Sequence, residues 1–185
     1  MKPASLAALN LLLLLLLIAG CATIAEDQCA TTDWYLLGSE DGRKGFSGDR
    51  LNRHYAACAR VQVIPDGNAW ETGRQIGLVE YCRLPNAVEQ GLMRHSYQGV
   101  CTDPRFARVY NAARALGETR QEIESIDREL ERGERELLTD RKLNISRRGE
   151  LLAELRMLER QRERAQNDRY DAELRLDWLR SEIGF

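Results

Sequence analysis

The sequence predicts an all-α protein: a small, glycine-rich, disulfide-stapled helical module followed by a long, charged, coiled-coil-like helical hairpin. Two observations carry this. Four cysteines fall between positions 29 and 101, in a stretch where glycines recur four residues apart. From Glu118 to Glu182 there is neither Pro nor Cys, about half of the side chains are charged, and apolar residues return every seventh position. For the tail the alternative is one continuous long helix. Three segments follow: a signal peptide over 1–20, a cysteine-containing module over 21–117 and a charged helical tail over 118–185.

The composition narrows the function classes. With 43% apolar and 30% charged residues, the 185-residue chain is globular rather than disordered. A net charge of −2 excludes a strongly basic nucleic-acid binder, so no nucleic-acid partner is expected. The one long apolar run lies at the extreme N-terminus, which excludes a multi-span membrane protein.

That first run is read as a targeting segment. Lys2 is its only charge, Leu6 to Ala19 is apolar apart from Asn10, and Ile18-Ala19-Gly20-Cys21 closes it. The run is short for a span and ends in small residues, as a cleaved signal peptide does. The small pair before Cys21 resembles a bacterial lipobox, in which the thiol is acylated and becomes the new N-terminus. By resemblance to lipoprotein sorting, the non-Asp residue Ala22 implies the outer membrane, facing the periplasm. A multi-acyl anchor suffices for stable attachment, so the expected partner is a membrane reached through the lipid.

Setting Cys21 aside leaves Cys29, Cys58, Cys82 and Cys101. An even number in an exported chain predicts two disulfides. Four cysteines allow three pairings. Cys29–Cys58 with Cys82–Cys101 is favoured, because an antiparallel pair of helices over 33–45 and 49–62 would bring the first two together. The rival is a metal site using His54, Cys58, Cys82, His95 and Cys101. It lacks any close C-x-x-C pair, so no metal and no cofactor is expected, and the two histidines are read as surface or half-buried.

In the module one pattern occurs twice: Tyr35-x-x-Gly38-x-x-x-Gly42 and Trp70-x-x-Gly73-x-x-x-Gly77, after the capping-type residues Asp33 and Asn68. Glycines four apart share a helix face and let another backbone approach. Interior glycine costs a helix about 1 kcal/mol relative to Ala, so the pairs predict short, closely packed helices. The competing reading makes these segments turns. Leu51 to Val61 reads as a helix with Leu51, Tyr55 and Cys58 on one face. Pro65-Asp66-Gly67 is a turn. Ile76 and Val79 are expected to continue the apolar face of the next helix. Pro85-Asn86 breaks it, and Ala87 to Arg94 forms another short helix. Tyr97 to Cys101 is an extended link, and Asp103-Pro104 caps and opens the last helix of the module.

Taken in order, Cys21, Cys29, Asp33-Trp34-Tyr35, Gly38, Asp41-Gly42, Gly45, His54, Ala57-Cys58, Pro65-Asp66, Gly73-Arg74, Gly77-Leu78, Tyr81-Cys82 and Tyr97-x-Gly99-Val100-Cys101 form a series. Over about residues 21–117 it resembles an uncharacterised bacterial lipoprotein family, number 2799 among the domains of unknown function. The chain departs from that pattern at Thr102, where Pro is common, and around 86–94, where it keeps only Gly91. The resemblance implies lipoprotein status and brings no activity with it.

In the tail the seven-residue series runs Leu116, Ile123, Leu130, Leu137, Asn144, Leu151, Leu158, Ala165, Ala172 and Leu179. A second stripe, Leu155, Leu176 and Ile183, is interrupted by Arg162 and Arg169. Thr139 to Gly149 is poor in aliphatics, which favours a loop between helices over roughly 104–138 and 148–183. In the continuous-helix alternative, Asn144 is a polar residue that fixes register in an oligomer, and the helix reaches about 110–120 Å.

Three functions compete. The preferred one is a non-enzymatic envelope lipoprotein whose tail associates with itself or with another envelope protein, since no catalytic constellation is found. The second is an enzyme acting on peptidoglycan, with Asp33, Glu40, Asp41 and Asp66 as carboxylates of the right type. The third is a ligand-binding module, with Trp34, Tyr35, Trp70, Tyr81 and Tyr97 lining a groove.

Overall fold

The computed structural model describes residues 23–140 and 144–185; the expected signal segment 1–20 and Cys21, the expected acylation residue, lie outside the described residues. All regular structure among the described residues is helical: α1 (Trp34–Arg43), α2 (Asp49–Cys58), α3 (Gly67–Tyr81), α4 (Leu84–Leu92), α5 (Pro104–Thr139) and α6 (Ile145–Ile183). Short 3-10 turns occupy Glu26–Gln28 and Ala59–Val61. The chain forms two compact units that part between Tyr81 and Cys82. The change of composition near residue 117 therefore falls within α5, inside the second unit.

The first unit is organised by two helices that nearly touch. A Cβ placed on Gly38 would lie 1.9 Å from the carbonyl oxygen of Trp70, and one on Gly73 would lie 2.0 Å from that of Tyr35. Gly42 and Gly77 stand in the same way against the carbonyls of Arg74 and Ser39, each at 2.1 Å. The contacts exchange reciprocally between the two copies of the motif. Rising numbers in α1 meet rising numbers in α3, so the helices run in the same sense. Backbone contact this close lets Cα–H groups face carbonyl oxygens, a weak attraction repeated along the crossing. The glycines are thus helical packing positions rather than turns.

This crossing also decides which face α3 buries. Gly73 and Gly77 sit inward with Trp70, Arg74, Leu78 and Tyr81. Ile76 and Val79, expected on the apolar face, are exposed. The backbone contact fixes the helix rotation, and those two β-branched residues fall on the far side. The cap of α3 also differs from the expected Asn68: the Asp66 carboxylate accepts from the Ala69 N–H at 2.9 Å. At α1 the Asp33 carboxylate accepts from the Leu36 N–H at 3.0 Å.

Cys29 is bonded to Cys58, and Cys82 to Cys101. The closest helix pair is α1 with α3, not the expected pair 33–45 with 49–62. Cys29 meets Cys58 because the two 3-10 turns lie against each other, and an Arg60–Glu26 ion pair at 3.1 Å spans them. Ile24, Cys29, Trp34, Cys58 and Trp70 form the buried core here, with Leu37, Leu51, Ala57, Val63 and Ala69 packed against it.

In the second unit α4 starts at Leu84, with Pro85 in its first turn, so the proline opens this helix rather than breaking the one before. Gly91 and Gly117 let α4 approach α5: a Cβ on either would stand 2.5 Å from the carbonyl oxygen of Tyr110 or Leu92. Ala87, Phe106, Val109, Ala113 and Leu116 fill the core below. The Asp103 carboxylate accepts from the Arg105 N–H and caps α5.

α5 and α6 form an antiparallel hairpin, so the continuous-helix alternative does not hold. Asn144 is not a seam residue; its side chain accepts from the Arg147 N–H at 2.8 Å and caps α6. The seven-residue stripe that spans both halves of the sequence becomes two facing stripes. Of that series Leu116, Leu151, Ala165 and Leu179 are buried and Ile123, Leu130, Leu137, Leu158 and Ala172 half-buried; Ile126 and Gly133 of α5, outside the series, are buried as well, as are Leu155 and Leu176 of the second stripe. Among the described residues, ion pairs cross the seam at Arg108–Glu182 (3.1 Å), Arg120–Glu173 (3.7 Å), Asp127–Arg162 (2.7 Å) and Glu136–Arg147 (3.4 Å). As numbers rise in α5 they fall in α6. Exposed pairs contribute little stability each, but their signs favour this register.

Candidate functional site

One polar cluster is buried in the first unit. The Asp41 carboxylate, on α1, is 2% exposed, and the His54 imidazole, on α2, is 0% exposed. Asp41 Oδ2 accepts from His54 Nε2 at 2.8 Å and from the Trp70 indole N–H at 2.9 Å. Arg50 Nε stands 3.5 Å from Asp41 Oδ1, with its guanidinium 4.3 Å over the Phe46 ring. With Nε2 donating to Asp41, His54 Nδ1 accepts from the Thr23 hydroxyl at 2.7 Å. Trp34 and Trp70 both approach the imidazole edge-on, with centroids 6.0 Å away.

Helix spacing places these groups. Asp41 lies one position before Gly42, so the close crossing of α1 and α3 aims its carboxylate at Trp70. Arg50 and His54 are four apart on α2 and present one face to it. Burial alone would push the Asp41 carboxyl up. The hydrogen bonds from His54 and Trp70, together with the positive charge of Arg50, outweigh that and hold it below the usual carboxylate range.

Hydroxyl, imidazole and carboxylate lie here in the order used for acyl transfer. Yet the imidazole has no exposed surface, so a substrate atom does not reach it in this conformation. Both Asp41 oxygens are already engaged by groups of the fold. The cluster ties α1, α2, α3 and the segment at Thr23 together. Sequence reasoning named Asp41 only by type and placed His54 at or near the surface. The separation of thirteen residues between them has no helical period to betray it, and Thr23 gave no signal at all.

The other expected site residues are dispersed. Asp33 and Asp66 are cap residues, and Glu40 is exposed. The structure therefore forms no carboxylate pair from the four. Trp34, Trp70 and Tyr81 are buried, Tyr97 is half-buried against Phe106 and Tyr110, and only Tyr35 of the five rings is exposed. They pack the cores rather than line a groove. Cys58, Cys82 and Cys101 are consumed as disulfides, which removes three members of the metal set.

A second feature lies on α6. Leu152, Tyr170, Leu174 and Trp178 are 45–61% exposed. At 3.6 residues per turn Tyr170, Leu174 and Trp178 fall on the side away from the seam residues Leu151, Ala165, Leu176 and Leu179, while Leu152, next to Leu151, flanks the seam. Over Tyr170 to Trp178, α6 therefore carries apolar residues on two sides, while α5 covers one.

The chain is thus of the class of all-α proteins built from helices in backbone contact and closed by two disulfides. Residues 33–115 match the model of the family described as Protein of unknown function (DUF2799). The matched stretch runs from the cap of α1 into α5 and ends two residues before Gly117, so most of the hairpin lies beyond it. No curated protein and no solved structure matches the chain.

Proposed function

We propose that the protein is a lipid-anchored envelope protein, held at the outer membrane through an acylated Cys21 and facing the periplasm, and that its work is binding rather than catalysis. The observation that carries the binding role is the outer stripe of α6. A hairpin needs one apolar stripe per helix, and α6 has two over Tyr170 to Trp178. Tyr170, Leu174 and Trp178 follow at successive turns, an arrangement suited to a partner helix. Two disulfides fit an oxidising compartment. The lipobox-like Ala19-Gly20-Cys21 supports the anchor.

The test uses the full chain expressed in a double-membrane bacterium. Mass mapping should find residue 21 as an acylated N-terminus. A photo-crosslinker at position 171, beside the stripe, should give an adduct of defined mass, either a dimer or a complex with an envelope protein. Leu174→Asp should abolish the adduct and leave thermal unfolding unchanged. An intact Met1 with no acyl group, or no adduct in a folded chain, overturns the reading.

A further inference from the structure

We infer that the first unit rests directly on a phospholipid leaflet, and that its lipid-contacting face is formed by the 3-10 turn Glu26–Gln28 and the segment 59–64, with Val61 and Ile64 dipping into the headgroup layer. This rests on the acylation of Cys21 proposed above.

The argument begins with the length of the tether. Thr23 is already bound to the fold, its hydroxyl 2.7 Å from Nδ1 of the wholly buried His54. Ile24 belongs to the buried core, and Cys29 is covalently fixed to Cys58. Only Ala22 separates the acylated position from Thr23, and two residue steps span at most about 7 Å. With acyl chains in the leaflet, the surface around residues 23–29 is held within the headgroup zone, where apolar side chains reach about 5–10 Å into the boundary.

The chemistry of that surface fits this neighbour. The Arg60–Glu26 ion pair at 3.1 Å holds the segment 59–64 beside the turn Glu26–Gln28. Val63 turns inward against the core, so Ile64 is turned out and is 84% exposed, with Val61 40% exposed. Arg60 and Glu26 offset each other, leaving Asp27 as the uncompensated charge of the two turns. An apolar pair with little net charge suits shallow insertion. The short tether supplies the proximity that two side chains alone would not.

The full chain carrying Ile64→Trp is purified as the acylated protein. It is reconstituted into phosphatidylethanolamine–phosphatidylglycerol vesicles with or without brominated acyl chains, and the unsubstituted protein supplies the background of the native tryptophans. Flotation and acyl mass report anchorage separately. The expected result is quenching of the new indole by about twofold in brominated vesicles, relieved when a flexible Gly-Ser segment is inserted between Ala22 and Thr23. An acylated protein that floats with the vesicles while the new indole stays unquenched overturns this inference and leaves the anchor standing. A new indole that is unquenched in the brominated vesicles but shifts to the blue when a solubilised envelope-protein fraction is added overturns it in favour of a protein partner. A chain without acyl mass that does not float overturns both.

Discussion

At the scale of single residues, the buried Asp41–His54–Trp70 cluster makes the sharpest demand. The Asp41 carboxylate has an imidazole and an indole on one oxygen and a guanidinium near the other. Removing its charge leaves His54 and Trp70 donating to a poorer acceptor, so Asp41→Asn should lose about 3–5 kcal/mol in urea unfolding at neutral pH. The pH dependence has a fixed sign. The folded carboxyl lies below its ordinary value of 3.8, so its contribution is fully present above that value and is lost as pH falls through the lower folded value. Acid unfolding of the native chain should therefore steepen below about pH 4, and Asp41→Asn should flatten that limb. A variant with the native acid limb would show that the carboxylate is not the titrating group. Legibility was poorest here. Nothing in the thirteen-residue interval between Asp41 and His54 shows that the two helices turn these side chains toward each other.

At the scale of elements, the glycines divide into two kinds that the sequence does not distinguish. Gly38 and Gly73 touch a facing backbone, and the carbonyl a Cβ would strike cannot swing aside as a side chain can. Gly38→Ala should exceed the usual overpacking cost of about 1–3 kcal/mol. Gly149, within α6, has nothing within 4 Å of an added Cβ. There Gly149→Ala should stabilise by about 1 kcal/mol, since only the helix propensity changes. Paired thermal melts check both, and equal effects of the two substitutions would refute the crossing. At the hairpin, Asn144→Ala should cost about 1 kcal/mol by leaving the Arg147 N–H without its cap. In the continuous-helix alternative, the same change would stabilise. The spacing of four made close helix packing readable, whereas the pairing of α1 with α3 and the exposure of Ile76 and Val79 were not. Apolar character predicts burial only until a backbone contact has set the rotation of the helix.

At the scale of the whole molecule, the disulfides and the hairpin give two further tests. Cys82–Cys101 closes a loop of sequence separation 19. Replacing both cysteines by Ser should cost about 3 kcal/mol, read as a loss of stability that reducing agent no longer deepens at that bridge. Trp178→Ala should leave unfolding unchanged, because the indole lies on the uncovered side of α6, while weakening any association measured by sedimentation or cross-linking. A large loss of stability would place this face inside the fold instead. The amino-acid sequence by itself determined the helical class, the short glycine-bearing helices and the long charged pair, because these follow from local spacing: four residues for a close crossing, seven for a seam, half charged side chains for solvated faces. Only tertiary structure decided that Asn144 caps a new helix, that the compact units part after Tyr81, and that Thr23, Asp41, His54 and Trp70 meet. Such meetings depend on the relative rotation of separate helices, which packing fixes only after the local pattern has done its part.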